Sequence, residues 1–462
     1  MDASNTLHVY PRSEGRRRKS AMLLLAIWSM VILLHLLSIG PWVILGLTTL
    51  MGIHALRMLL STPGDPLAPA SPAQLSLDSN PAESPQPPTQ WPFVSLVVSA
   101  KDEEAVLPVL VKKLCAIDYP LDRYELWVVD DNSSDRTPLI LADLATQYSQ
   151  LRWMRRAAGS TGGKSGALNQ ILPRMKGEFI GVFDADAQVE TDLIYSVLPH
   201  FANPSVGAVQ VRKVIANANI NFWTRGQAAE MILDSFLHER RNITGGIGEL
   251  RGNGQFVRRT ALERCGQWNE ETITDDLDLT FRLHLDQWDI ASVLFPTVQE
   301  EGVTRTIGLW HQRNRWAEGG YQRYLDYWPL LITNRLKFRK TFDLGMFWLL
   351  QYVVPTAIIP DTLASIWLGQ APILLPLSSL TMSLSFVGMF AGLNRIRRHQ
   401  KEPIALDLSG LGQMLFQSAL GTLYMAHWFV VIASVTARMA IRPKRFNWVK
   451  TLHVGQSDPS VS

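Results

Sequence analysis

A chain of 462 residues has room for two or three domains, and its formal charge of +3 gives no support to nucleic-acid binding. Its two cysteines, Cys115 and Cys265, cannot build a disulfide framework and lack the near neighbours of a metal site, which points to a reduced, cytosolic setting for the soluble part. A mean hydropathy of +0.04 with 15 tryptophans fits neither an ordinary soluble enzyme nor a chain wholly inside a bilayer, so a mixed protein is expected.

In chain order, residues 1–19 are a basic N-terminus ending in "RRRK", which positive-inside logic keeps in the cytoplasm. Residues 20–60 carry two apolar stretches separated by "GPW" and predict a membrane hairpin. The first stretch is longer than the apolar core of a signal peptide, and no small-residue cleavage site precedes Pro41. Residues 61–92 hold nine prolines among Ser, Ala and Gln, a composition that cannot bury a core and reads as a tether.

From residue 93 to 342 the composition is that of a soluble domain. The apolar runs "FVSLVVSA", "YELWVVDD" and "FIGVFDAD" alternate with helical patterns, which predicts a parallel α/β sheet. Residues 221–241 form an amphipathic helix, suited equally to a membrane interface or to ordinary packing. The region 343–437 is a second membrane block of about four segments: 344–368, 373–393 and, after a basic cytoplasmic loop at 395–401, a helical pair within 404–437 split near Gly421. The basic tail 438–462 requires an even number of crossings, hence six spans. Asp361 falls in an apolar stretch and is placed near the far interface.

In an open α/β sheet, ligands bind outside the carboxyl ends of the strands. Three acidic groups sit there: residues 102–104, Asp130 with Asp131, and Asp184 with Asp186. One such pair alone is more often a turn cap, but three at equivalent places converge on one crevice. Converging carboxylates repel unless a cation or a hydrogen-bonding ligand lies between them. The hard oxygens of Asp184 and Asp186 suit Mg²⁺ or Mn²⁺ bridging to substrate phosphates. "GGKSGALN" at 162–169 adds flexible glycines and the charge of Lys164, though its glycine spacing is not that of a Walker P-loop.

Taken together, these motifs resemble the membrane-embedded, inverting family-2 glycosyltransferases, which include cellulose, hyaluronan and glycolipid synthases. The likeness covers about half the chain. "VVDDNSSD" is similar to the family's uracil-contacting strand end, "GGKSGALN" to its lysine loop, "FDAD" to its metal motif, "TITDDLDLTFRL" to its Thr-Glu-Asp segment, and "QRNRW" to its Gln-x-x-Arg-Trp. The resemblance implies a GT-A type, Rossmann-like cytosolic domain flanked by transmembrane helices. It also implies UDP-sugar contacts from Glu103, Asp131, Lys164, Asp184, Gln312, Arg315 and Trp316, and a Mg²⁺ or Mn²⁺ ion on Asp184 and Asp186. The family's catalytic base maps onto Asp276, with Asp275 standing where the family has Glu, so either aspartate is a candidate base.

The run from 272 to 293 with that from 310 to 328 is most similar to the cyanobacterial branch that makes β-glucosyldiacylglycerol from UDP-glucose. The implied reaction is inverting glucosyl transfer to 1,2-diacylglycerol. A processive polysaccharide synthase is the alternative, whereas a transporter would rest on the membrane segments alone. The implied partners are a UDP-sugar, a diacylglycerol or other membrane acceptor and the bilayer, with no nucleic acid. The implied location is the plasma or thylakoid membrane, with the catalytic domain in the cytoplasm.

Overall fold

The computed structural model describes residues 15–62, 91–400 and 408–442. Most of the expected tether (63–90), the start of the N-terminus (1–14), the end of the basic loop and the tail beyond 442 lie outside the described residues.

The soluble domain is built on one eight-stranded sheet. Its strands are β1 (Val94–Ala100), β2 (Tyr124–Asp130), β3 (Leu151–Arg155), β4 (Phe179–Phe183), β5 (Gln188–Val189), β6 (Val206–Ile215), β7 (Gln255–Arg258) and β8 (Asp289–Glu300), in the spatial order β3-β2-β1-β4-β7-β6-β8-β5. The three runs read as strands in the sequence are β1, β2 and β4, and with β3 they are parallel. The expected parallel sheet is formed by these four and, further out, by β6 beside β8, whereas β7 runs antiparallel to β4 and β6, and β5 antiparallel to β8. The four-residue β7 is seated by the Gly254 and Arg259 amides, which donate to the carbonyls of Val182 and Glu178 at 3.1 and 2.8 Å.

Alternation along the strands buries both faces. Leu96, Val98, Leu126, Val128, Phe179 and Phe183 join a core with Leu107, Leu110, Leu141 and Leu193 on one side. Val97, Val129, Ile180 and Val182 meet Leu168, Ile171, Leu279 and Leu283 on the other. Strands covered on both sides read as continuous apolar runs, and each buried Val, Leu or Phe contributes about 1.5–3 kcal/mol.

Five helical stretches among the described residues are long and apolar enough to cross a membrane: Arg16–Leu36, Gly40–Leu60, Lys337–Leu368, Leu375–His399 and Ser409–Ile441. The expected hairpin at Gly421 is not formed. The break lies at Ala426, which keeps right-handed helical angles (φ −59°, ψ −24°) and so offers no reversing loop. The two arms pack on different partners, the first on Phe222–Ile243 and Leu375–His399, the second on Arg16–Leu36, Val354–Leu368 and Thr306–Ile332. Gly421 instead admits close packing, since a Cβ there would lie 2.5 Å from Met389 Sδ and 2.6 Å from Ala229 Cβ. The count of six is thereby reduced to five stretches of spanning length. Asp361, about two turns before the end of Val354–Leu368, accepts the Ile373 amide at 2.9 Å and lies 2.8 Å from His35 Nε2, tying the connection 369–374 to the first helix.

The amphipathic segment at 221–241 is a packed helix. Phe222–Ile243 opens on a capping box between Asn221 and Thr224, lies across β6 and β8, and carries Leu375–His399 and Leu408–Met425 on its other side.

Soluble and apolar parts meet at Glu249, which is 1% exposed. Its carboxylate pairs with Arg323 on Thr306–Ile332 at 3.0 Å, with Arg251 of the following loop at 2.8 Å and with Arg241 on Phe222–Ile243 at 3.5 Å. Arg241 continues to Asp343 at 2.9 Å, on the helix Lys337–Trp348. Burial alone would raise the Glu249 pKa, but the three arginines outweigh it and hold the carboxyl below its usual range. Removing one partner of a buried ion pair costs about 3–5 kcal/mol. Glu249→Gln is therefore expected to lower the thermal unfolding midpoint of the purified protein in detergent by several degrees, and an unchanged midpoint would show that the three elements are held some other way.

Candidate active site

The carboxyl ends of β1, β2 and β4 open on one side of the sheet. After β1, the acids at 102 and 104 are turn caps: Asp102 Oδ1 accepts the Ser134 amide at 2.6 Å, and Glu104 Oε2 accepts that of Arg136 at 3.0 Å. Glu103 is the buried one, and its amide donates to Thr137 Oγ1 at 2.9 Å. After β2, Asp130 caps its own turn by accepting the Ser133 amide at 2.9 Å. Asp131 faces Arg156 Nη1 at 2.6 Å. The same guanidinium donates to the carbonyls of Thr161 at 2.5 Å and Gly163 at 3.2 Å, so it pins the glycine loop to the end of β2.

That loop turns through Gly162 and Gly163, both left-handed (φ 81° and 53°), a conformation a side chain would strain. It delivers Lys164 in the first turn of Gly163–Ile171, with Nζ 2.5 Å from Asp184 Oδ1. The two aspartates after β4 have different partners. Asp184 faces Lys164, and its amide donates to Asn253 Oδ1 at 3.3 Å, whereas Asp186 Oδ2 accepts the Glu301 amide at 3.0 Å.

The helix Asp275–Leu285 begins with Asp275, Asp276 and Asp278 in its first turn, where the helix dipole favours negative charge. Asp278 is consumed by structure, bonded to Arg282 at 2.7 Å, Asn269 at 3.0 Å and Tyr327 at 2.9 Å. Asp275 Oδ2 is buried without a hydrogen-bond partner. Asp276 lies beside Gly252, where a Cβ would be 3.4 Å from its Oδ2. Burial, and next the charge of Asp275, push the Asp276 pKa up to about 6, against the Leu277 amide, Lys164 and Lys213. Around Lys164 the balance is opposite: burial works against its charge, and Asp184, Asp275 and Asp276 together raise its pKa.

The "QRNRW" segment lies within the helix Thr306–Ile332. Burial lowers the Arg315 pKa, opposed by the charges of Asp184 and Asp276, so this guanidinium is set toward both acids. The ring of Trp316 has Arg313 at 4.1 Å and Lys213 at 5.4 Å. Gln312 accepts from Arg313 at 3.3 Å. Arg313 is fully buried and reaches Glu230 at 2.5 Å and Tyr424 at 3.1 Å.

The structure thus brings Lys164, Asp184, Asp275, Asp276 and Arg315 into one electrostatic group, with Trp316 joined to it through Lys213. Asp186 lies two residues beyond Asp184 and accepts the amide of Glu301, which follows β8. Glu103 and Asp131 lie at the neighbouring strand ends. Sequence reasoning missed Arg156, Lys213, Asn253 and Arg313. Of these, Arg156 alone left a usable signal, because "RR" at the end of β3 is in register with "DD" at the end of β2, Asp130 opposite Arg155.

Residues 91–319 match the model of the family described as Glycosyltransferase like family 2. The chain is 56% identical, over 97% of its length and 91% of theirs, to the proteins named beta-monoglucosyldiacylglycerol synthase of Trichormus variabilis and of Nostoc sp.. It is 52% identical to the protein of that name from Synechocystis sp., over 96% of this chain and 89% of that one. Among solved structures, the mannosyltransferase PcManGT of Pyrobaculum calidifontis, in complex with GDP-Man and Mn²⁺, is similar with a TM-score of 0.52 and 19% identity, covering 86% of this chain and 99% of its own. At that identity the likeness speaks for the fold. With a GT-A sheet, a family-2 match over the soluble domain and near full-length relatives above 50% identity, the chain belongs to the family-2 glycosyltransferases, in the group of the beta-monoglucosyldiacylglycerol synthases.

Proposed function

We propose that this glycosyltransferase moves glucose from UDP-glucose to the free hydroxyl of 1,2-diacylglycerol with inversion, forming β-monoglucosyldiacylglycerol at the cytoplasmic side of a plasma or thylakoid membrane. The observation that carries the choice of substrates is the 56% identity over 97% of the chain with proteins named for that product. The geometry supports the chemistry. Asp276, kept basic by burial and by Asp275, takes the proton of the acceptor hydroxyl as its oxygen forms the bond to the anomeric carbon. The bond from that carbon to the diphosphate breaks with its electron pair leaving on UDP, and displacement in line inverts the centre. Lys164 and Arg315 offset the charge that develops on the leaving group. Trp316 and Gln312, on the same helix as Arg315, border the acceptor side, and Glu103 and Asp131 border the nucleoside side.

A divalent cation fits the donor set. Among the described residues no three His, Cys, Asp or Glu side chains converge as a complete ligand sphere, but Mg²⁺ commonly takes one or two carboxylates and completes its shell with water and substrate phosphate. The 2.5 Å contact of Asp184 with the Lys164 ammonium marks where a positive charge is favoured. Asp184 and Asp186 would hold Mg²⁺ or Mn²⁺, which would supply neutralisation of the diphosphate.

A general base contributes about 10²- to 10⁴-fold. Asp276→Asn is expected to lower kcat by that order while UDP affinity, measured calorimetrically with Mg²⁺, stays within a few-fold. Asp186→Asn is expected to weaken the metal-dependent part of that affinity, and an unchanged affinity with continued transfer would remove the metal assignment.

Because Asp276 acts as its carboxylate and its pKa is raised to about 6, kcat/KM should climb as pH rises through about 6 and level off above it. Asp275→Asn removes a charge that raises this pKa, so the inflection should move to lower pH. An inflection that stays in place, or moves up, would separate Asp276 from the titrating group.

With labelled UDP-glucose, Mg²⁺ and diacylglycerol, the purified protein should place the label in one organic-extractable β-monoglucosyl lipid, dependent on added diacylglycerol. Label in a high-molecular-mass chain formed without diacylglycerol would reject the lipid acceptor in favour of a polysaccharide synthase.

A further inference from the structure

Two segments distant in sequence form an exposed apolar rim beside the site. The first is the turn 217–220 with the start of Phe222–Ile243, and the second is the first turn of Thr306–Ile332. Ile220 and Ile307 are 61% and 73% exposed, and Phe222 and Trp310 are each 36% exposed. Hydrogen bonds hold the two together. Asn217 Nδ2 donates to the Gly302 carbonyl at 2.9 Å and its Oδ1 accepts the Gly302 amide at 2.7 Å, while Asn221 Nδ2 donates to the Thr304 carbonyl at 2.9 Å. The same strand end touches the chemistry, since the residue before Gly302 is Glu301, whose amide binds Asp186.

The depth of this rim can be read from its neighbours. The Phe222 ring packs 6.3 Å from that of Tyr424. Five residues on, past the break at Ala426, Phe429 packs in the cluster of Ile27, Val31 and Ile44. On Arg16–Leu36, the Arg16 end is bound to Asp326 of the long catalytic-domain helix, and Ile27 lies 11 residues further along, about 16 Å at the helical rise. Tyr424 and the Phe222 ring beside it therefore adjoin the apolar packing of the membrane-length helices. Leu423 and Phe416, 65% and 64% exposed, continue the apolar surface from the rim along Leu408–Met425. Exposed apolar patches rimmed by polar residues mark interaction surfaces, and one contiguous with membrane-length apolar helices faces lipid.

We infer that the rim formed by Ile220, Phe222, Ile307 and Trp310 dips into the bilayer and is the mouth through which a lipid-borne hydroxyl reaches Trp316 and Asp276. This rests on the lipid acceptor proposed above. Trp310 and Trp316 lie on one helix, less than two turns apart, so acyl chains can remain among lipids at the rim while the glycerol end advances along that helix. The donor enters from the other side, at the strand ends.

The test uses the full chain in phosphatidylglycerol vesicles. The native cysteines are buried, so a spin label can be directed to Ile307→Cys, with Leu139→Cys, at a site 70% exposed on the soluble domain, as the reference. The label at 307 should collide with oxygen and be shielded from a water-soluble nickel chelate, the reverse of the label at 139. A label at 307 as open to nickel as that at 139 would overturn the proposal. In the second arm, Ile220→Ser with Ile307→Ser should raise the KM for dioleoylglycerol in the vesicles about tenfold or more. It should leave dispersed dihexanoylglycerol and UDP binding within about twofold, which also verifies folding. Equal losses on both acceptors would reject the mouth. If the parent protein glucosylates neither acceptor while the label at 307 is shielded, the lipid acceptor falls and the membrane insertion of the rim stands.

Discussion

The helix that carries Arg315 and Trp316 is tied to the sheet by one buried carboxylate. Glu249 holds three arginines: Arg241 from the helix across β6 and β8, Arg251 from its own loop before β7, and Arg323 from that helix, far along the chain. A carboxylate removed from water is costly unless it is paired, and three guanidiniums left without it would repel one another. The arrangement is therefore strong as a set and weak in any part. Its consequence reaches the chemistry directly. Arg251 precedes Gly252, whose left-handed φ of 81° turns the loop beside Asp276, and the Arg251 amide donates to Gln210 Oε1 at 2.7 Å, which fixes the loop against β6.

The site is a second charge arrangement, and it works by incomplete neutralisation. Asp278 is fully engaged with Arg282, Asn269 and Tyr327 and serves the fold. Two residues earlier on the same helix, Asp276 has burial and Asp275 raising its pKa, with only a backbone amide and more distant cations in opposition. The difference between the structural acid and the proposed base in one helical turn is thus set by which partners the surrounding loops bring. Lys164 and Arg315 answer the remaining charge, and both belong to elements that loops or the Glu249 set hold in place.

What could be read in the sequence follows from how local its causes are. β1, β2 and β4 were legible because strands buried on both faces leave continuous apolar runs, and Asp184 and Asp186 were legible because acids directly after such a run lie at a strand end. β7 was not, since four residues carry no period and their seat depends on Gly252 and Gly254 adopting left-handed angles. The helix break at Ala426 was misplaced at Gly421 because glycine is the usual punctuation, yet here that glycine makes room for Met389 and Ala229. Arg313 was invisible for a different reason: it acts through a partner, Glu230, that only the tertiary fold brings near.

The remaining constraint is that the two proposed substrates come from different phases. A nucleotide sugar requires the water-facing strand ends, with glycine amides and cations. A diacylglycerol requires an apolar approach that never strands its acyl chains in water, which costs about 0.8 kcal/mol for each exposed methylene. In the proposed reaction Asp276 stands between the two approaches, with burial and the charge of Asp275 raising its basicity. A base for an alcohol should be as basic as it can be while still ionised at the working pH. A pKa of about 6 meets both conditions near neutrality, so burial and the charge of Asp275 together poise the proposed base for the proposed transfer.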